Sequence, residues 1–105
     1  MVAKKKTAPK KIAATSSHLE GLPFGVGDKV LIRTVTMIQI GRLAGAGPDF
    51  FVLSEGGWLA DSKRWPQMLL DGHINEFERS PSWVVVGRGA IVDVYPWIHA
   101  LPATT

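Results

Sequence analysis

The stretch from Asp28 to Ile40 constrains the fold most. Val30, Ile32, Thr34, Thr36, Ile38 and Ile40 fall on one parity, Lys29, Arg33 and Gln39 fall on the other, and Leu31, Val35 and Met37 stand between them. β-branched side chains lose rotamer freedom in a helix and pack well on a pleated surface, so the stretch reads as strand. One straight strand from 29 to 44 would be long, and a bend or bulge near Thr34–Met37 is expected to divide it into two. Gly41 and Gly45 allow strong curvature. Ala46-Gly47-Pro48-Asp49 signals a turn, and Phe50 to Leu53 is the next strand, closed by Gly56-Gly57.

Residues 58–79 have a different texture. Asp61 or Ser62 is placed to cap a short helix carrying Trp65, Met68 and Leu69, with Pro66 in its first turn and Gly72 as its C-terminal cap. Ile74 and Phe77 stand alone in a polar stretch and read as anchors of a loop. Trp83-Val84-Val85-Val86 is a compact strand, Gly87-Arg88-Gly89 a tight connection, and Ala90 to Tyr95 its hairpin partner, stopped by Pro96. The tail from Trp97 is expected to be only partly ordered. About five short strands and one helix must pack on themselves to hide their edges. The expected fold is therefore all-β, a small curved barrel of the SH3-like or Sm-like kind.

The chain has 105 residues and no cysteine, which fits one domain and excludes both a disulfide framework and a cysteine zinc site. No apolar run is long enough for a membrane helix. A hydrophobic content of 46% with four tryptophans can build a core. Charge is unevenly placed. Residues 1–19 carry Lys4, Lys5, Lys6, Lys10 and Lys11 and no acid, a charge of +5, whereas residues 20–105 carry seven basic and nine acidic side chains, a charge of −2. The basic character belongs to the arm and not to the body. The expected organisation is a flexible basic arm and linker over 1–27, a β-barrel over 28–99 and a tail over 100–105. Leu19, Leu22 and Phe24 are expected to pin the end of the arm to the body. The lysines lack a following apolar region, so no secretory signal is expected, and neither is an amphipathic presequence helix, which Pro9 would interrupt.

Little in the chain points to catalysis. His18, His73 and His99 are scattered without metal-ligand spacing. Ser54 and Ser62 lack the context of an activated nucleophile. Gly87-Arg88-Gly89-Ala90 has no P-loop lysine and precedes a strand, so it reads as a turn. No enzyme activity, cofactor, metal or small-molecule substrate is expected. The tryptophans say more. Trp58 and Trp83 are expected to plug the barrel as core residues. Trp65 beside Arg64, and Trp97 near His99, are candidates for a protein interface, where Trp and Arg concentrate binding energy. Arg88 joins them as a candidate contact.

Ile32-Arg33-Thr34-Val35-Thr36-Met37-Ile38 with Gly41-Arg42-Leu43, Trp58-Leu59-Ala60-Asp61 with Arg64-Trp65, Val86-Gly87-Arg88-Gly89-Ala90-Ile91-Val92-Asp93, and Trp97 with His99-Ala100-Leu101-Pro102 together resemble an uncharacterised family of small tailed-phage and prophage proteins. The resemblance spans about residues 28–102. It departs at Ser62-Lys63, where members carry a small residue and glycine, and at Trp65, where they carry Phe. The lysine arm is not a family feature. The resemblance implies a phage setting and supplies no catalytic residues. The expected role is a virion structural protein, as a minor capsid, decoration or connector component. Its β-body and arm would dock on other virion proteins and on copies of itself, as a homo-oligomer and without membrane contact. The alternative is an Sm-like nucleic-acid-binding module in the host cytoplasm, its lysines on phosphates.

Overall fold

The computed structural model describes residue 19 and residues 21–104. Lys4, Lys5, Lys6, Lys10, Lys11 and His18, and the expectations attached to them, lie outside the described residues. The elements in chain order are β1 (Lys29–Thr34), β2 (Ile38–Ala46), β3 (Phe50–Ser62), α1 (Trp65–Asp71), β4 (Ile74–Arg79), β5 (Val84–Gly87), a single 3-10 turn (Arg88–Ala90) and β6 (Ile91–Pro96). The six strands form one antiparallel sheet in the order β4-β3-β2-β1-β6, with β5 also paired to β3. The sheet is not closed. β3 is long enough to serve two partners on one edge: Phe50–Leu53 pair with β5, and Gly57–Ser62 pair with β4.

The β-branched stretch divides where expected. Thr34 Oγ1 accepts from the Met37 N–H (3.0 Å) and donates to the Met37 carbonyl (2.7 Å), closing the turn between β1 and β2. β1 is then buried on both faces. Val30 and Ile32 enter a first core with Leu43, Phe51, Leu53 and Val86, while Leu31 enters a second with Ile40, Leu59, Met68, Phe77 and Trp97. Side chains alternate across a strand, so the apolar run Val30-Leu31-Ile32 supplies both faces at once. Leu19, Leu22 and Phe24 pack against the first core, as expected of the end of the arm.

A bulge lets β3 serve both cores. Between its pairings with Arg42 and Ile40, β3 carries one extra residue. Glu55 lies there with φ 53°, the one positive φ outside glycine among the described residues. An extra residue reverses which side chains face inward, so Phe51 and Leu53 face the first core and Leu59 the second. Arg42 braces the bulge, pairing with Glu55 Oε2 (2.9 Å) and donating to the Gly27 carbonyl (3.0 Å). Gly56 and Gly57 follow because backbone crowds them: a Cβ on Gly57 would stand 2.1 Å from the Glu78 carbonyl oxygen. These glycines bend the strand and do not end it, contrary to the sequence expectation.

Other expectations also change. The helix begins at Trp65, three residues beyond Ser62. Asp61 and Ser62 are the end of β3, and no side chain caps the helix. Pro66 in the first turn and Gly72 at the left-handed C-cap stand as expected, the Gly72 N–H reaching the Met68 carbonyl at 2.8 Å. Ile74 and Phe77 belong to a sixth strand, β4, and not to a loop. β5 and β6 are not a hairpin: β5 pairs with β3, β6 pairs with β1, and the 3-10 turn carries the chain between them. The segment after β6 is packed. Trp97 is 2% exposed, its indole N–H reaches the Ala100 carbonyl (3.0 Å), and the Arg79 N–H donates to Thr104 Oγ1 (2.9 Å).

Candidate docking surface

Adjacent residues of a strand face opposite sides, so Phe50-Phe51 cannot both be buried against one core. Phe51 takes the first core. Phe50 stays 39% exposed on the other side, with its ring over Gly47 in the preceding turn. The same alternation acts on β5, where Val84 and Val86 turn inward and Val85 remains 50% exposed. The register sets Val52 opposite Val85 and Phe50 opposite Gly87. Trp83, immediately ahead of β5, is 65% exposed. Phe50, Val52, Trp83 and Val85 thus form an apolar strip along the outer edge of the sheet. Large contiguous apolar patches on protein surfaces commonly serve as interaction sites.

Three of the four tryptophans sit on the side opposite to the one their sequence context suggests. Trp58 and Trp83 were expected in the core and are exposed; Trp58 is 41% exposed opposite Gln39 and Glu78. Trp97 was expected at an interface and is core. Trp65 is half-buried and engaged within the chain: its ring meets Tyr95 edge-on at 5.5 Å and lies 5.7 Å from the Arg33 guanidinium. Arg64 is exposed at the start of α1, where its carbonyl accepts from the Met68 N–H. Arg88 stacks its guanidinium 4.5 Å over the Phe51 ring, and its N–H reaches the Asp49 carbonyl. The candidate contacts Arg64, Trp65, Arg88 and Trp97 therefore do not form one surface. The signal in the sequence was the Phe50-Phe51 pair together with the valine run, each of which puts apolar side chains on both faces of its strand.

Several polar groups outside the strip pair within the chain. Arg33 forms a forked pair with Asp93, directly opposite on β6, and the Tyr95 hydroxyl donates to the same carboxylate at 3.1 Å. The bond from Arg33 holds the Asp93 carboxyl below its ordinary value, against a smaller upward push from burial. Asp71 is likewise lowered, by the Gln67 side chain and the His73 N–H. A cleft of about 430 Å³ opens between the segment before β1 and the end of β6, lined by Phe24, Asp28, Lys29, Arg42, Tyr95 and Trp97 among others. Its charged groups are already used: Asp28 accepts from the Gly25 N–H, Lys29 donates to the His99 carbonyl, and Arg42 holds Glu55. His99 bonds the Leu69 carbonyl and His73 is exposed. Among the described residues no three His, Asp or Glu side chains gather as metal ligands, and no helix is long and apolar enough to cross a membrane.

No protein-family model, curated protein or solved structure matches this chain.

Proposed function

We propose that this protein is a structural component of a phage particle, a small β-module that docks on neighbouring virion proteins and on copies of itself. The observation that carries this is the apolar strip of exposed Phe50, Trp83 and Val85 with the half-buried Val52 between them, on the outside of the sheet from the first core. The phage setting rests on the resemblance in the blocks around Ile32–Leu43 and Val86–Asp93. The body is read as SH3-like. The order β5-β3-β2-β1-β6 and the 3-10 turn before the last strand support that class, with α1 and β4 as an insertion between β3 and β5. The lysine arm is read as a tether that contacts its neighbours in the particle, where a repeating lattice multiplies weak contacts. The charge of −2 over residues 20–105 weighs against a nucleic-acid-binding body. The test is mass spectrometry of purified particles, quantified against the major capsid protein. Stoichiometric presence is expected, and its ratio distinguishes a decoration from a connector. Absence from particles, with expression in the infected cell, would overturn the proposal.

A further inference from the structure

We infer that the open edge of β5 pairs with β5 of a second copy about a two-fold axis through Val85, which deepens the docking proposal by naming one occupant of the strip. Among the described residues β5 pairs with β3 alone, which leaves its other edge open. The Arg88 N–H reaches the Asp49 carbonyl, and the ladder steps by two, so Val86 and Val84 also turn their N–H and C=O groups toward β3. Val85 and Gly87 turn theirs toward the open edge, and Trp83, just ahead of the strand with its carbonyl accepting from Ser82 Oγ (3.3 Å), would extend that row on pairing. An antiparallel pairing centred on Val85 makes these same residues the bonded ones: Val85 meets Val85 of the second copy, and Trp83 meets Gly87 of the second copy, twice.

The side chains fit the same register. Trp83 is the most exposed tryptophan, and it would lie across a glycine. A Cβ on Gly87 would meet nothing within 4 Å, so the space beside it is open. Its φ of −69° and ψ of 131° are ordinary extended backbone, so conformation does not demand glycine there. Beyond Gly87 in the same row stands the exposed Phe50, a ring partner for the incoming indole. An aromatic side chain covering a cross-strand glycine is a favourable arrangement in sheets. Charge permits the contact too. Edge strands are ordinarily guarded by charge or proline. β4, on the same side of β3, carries Glu76, Glu78 and Arg79, whereas Trp83 to Gly87 carry no charge. A two-fold pairing of β5 therefore brings no like charges together, and each copy supplies the same surface.

The full chain is examined by sedimentation velocity over a concentration series, beside Val85→Lys, Gly87→Val and, as an exposed control, Val92→Lys. A concentration-dependent dimer is expected. Val85→Lys, with like charges on the axis, should sediment as a monomer with an unchanged circular dichroism spectrum. Gly87→Val should weaken the dimer, and Val92→Lys should leave it intact. The chain has no cysteine, so Val85→Cys adds a second readout. Paired α-carbons about 5.5 Å apart lie within disulfide reach, and mild oxidation should give a covalent dimer that Val92→Cys does not give. A monomer at every concentration, or a dimer indifferent to both Val85→Lys and Gly87→Val, would overturn the inference. A monomeric protein found in particles defeats this pairing alone, while a dimer absent from particles defeats the virion proposal alone.

Discussion

The two cores are made in different ways. The first is built almost wholly from strands: Val30, Ile32, Leu43, Phe51, Leu53 and Val86, with Leu19, Leu22 and Phe24 laid across them. The second is built where one face of the sheet meets a helix and the end of the chain: Leu31, Ile40, Leu59 and Phe77 against Met68, Trp97 and Leu101. Both share β1. The first hides its inner face and leaves an apolar strip outside, at an open edge. The second is covered by the helix and the tail, and β4 at its edge carries charge. The lesson is that a small sheet can use the two ends of one long strand for different ends. The bulge at Glu55 is what divides them.

Substitutions separate the two cores. The largest effect is expected at Phe77, fully buried in the second core. Phe77→Ala should cost about 3–5 kcal/mol, against about 2–5 kcal/mol for Leu53→Ala in the first. Urea unfolding checks both. Because the cores share β1, each variant should lower the midpoint of one cooperative transition, and a second transition would show that the cores unfold separately. Next comes Gly57→Ala. Its Cβ would press on the Glu78 carbonyl, so β4 must shift, at about 1–3 kcal/mol, with loss of amide protection across β4 before β5. Gly72→Ala follows. A φ of 76° costs an L-residue about 1–2 kcal/mol, and the added carbon would meet the His99 ring, so the thermal midpoint should fall and the Trp97–Thr104 segment should loosen. The smallest effect is the pH dependence of the Arg33–Asp93 pair. The Asp93 carboxyl is lowered in the folded chain, so its stabilisation is fully present above the ordinary aspartate value of about 3.9 and is lost as pH falls through the folded value. Asp93→Asn should flatten the acid limb of the melting curve without changing its slope near neutrality.

The strands of the first core were legible because alternation and β-branching act locally. The break at Thr34–Met37 and the turn at Ala46–Asp49 follow from residues close in sequence, and Leu19, Leu22 and Phe24 stand out as the apolar residues of a polar segment. The second core was not legible. Phe77 sits in Ile-Asn-Glu-Phe-Glu-Arg, whose polar residues mask a strand that forms because β3 offers it an edge. Gly56-Gly57 look like a strand end when the cause of the glycines, close backbone on both sides, is remote in sequence. Trp97 resembles a surface residue until β6 delivers it under α1. For the docking strip, the sequence held the materials but not the sides: a run of three valines does not reveal which of them faces out, and pairing with β3 decides it.

The most direct measurement is incorporation of variants into particles, quantified by mass spectrometry against the major capsid protein. If the strip docks, Trp83→Ser and Val85→Lys should be depleted from particles, while Val92→Lys, on an equally exposed side chain of β6, should be incorporated like the wild type. Equal incorporation of all three, with folding intact, would contradict a docking role for this face.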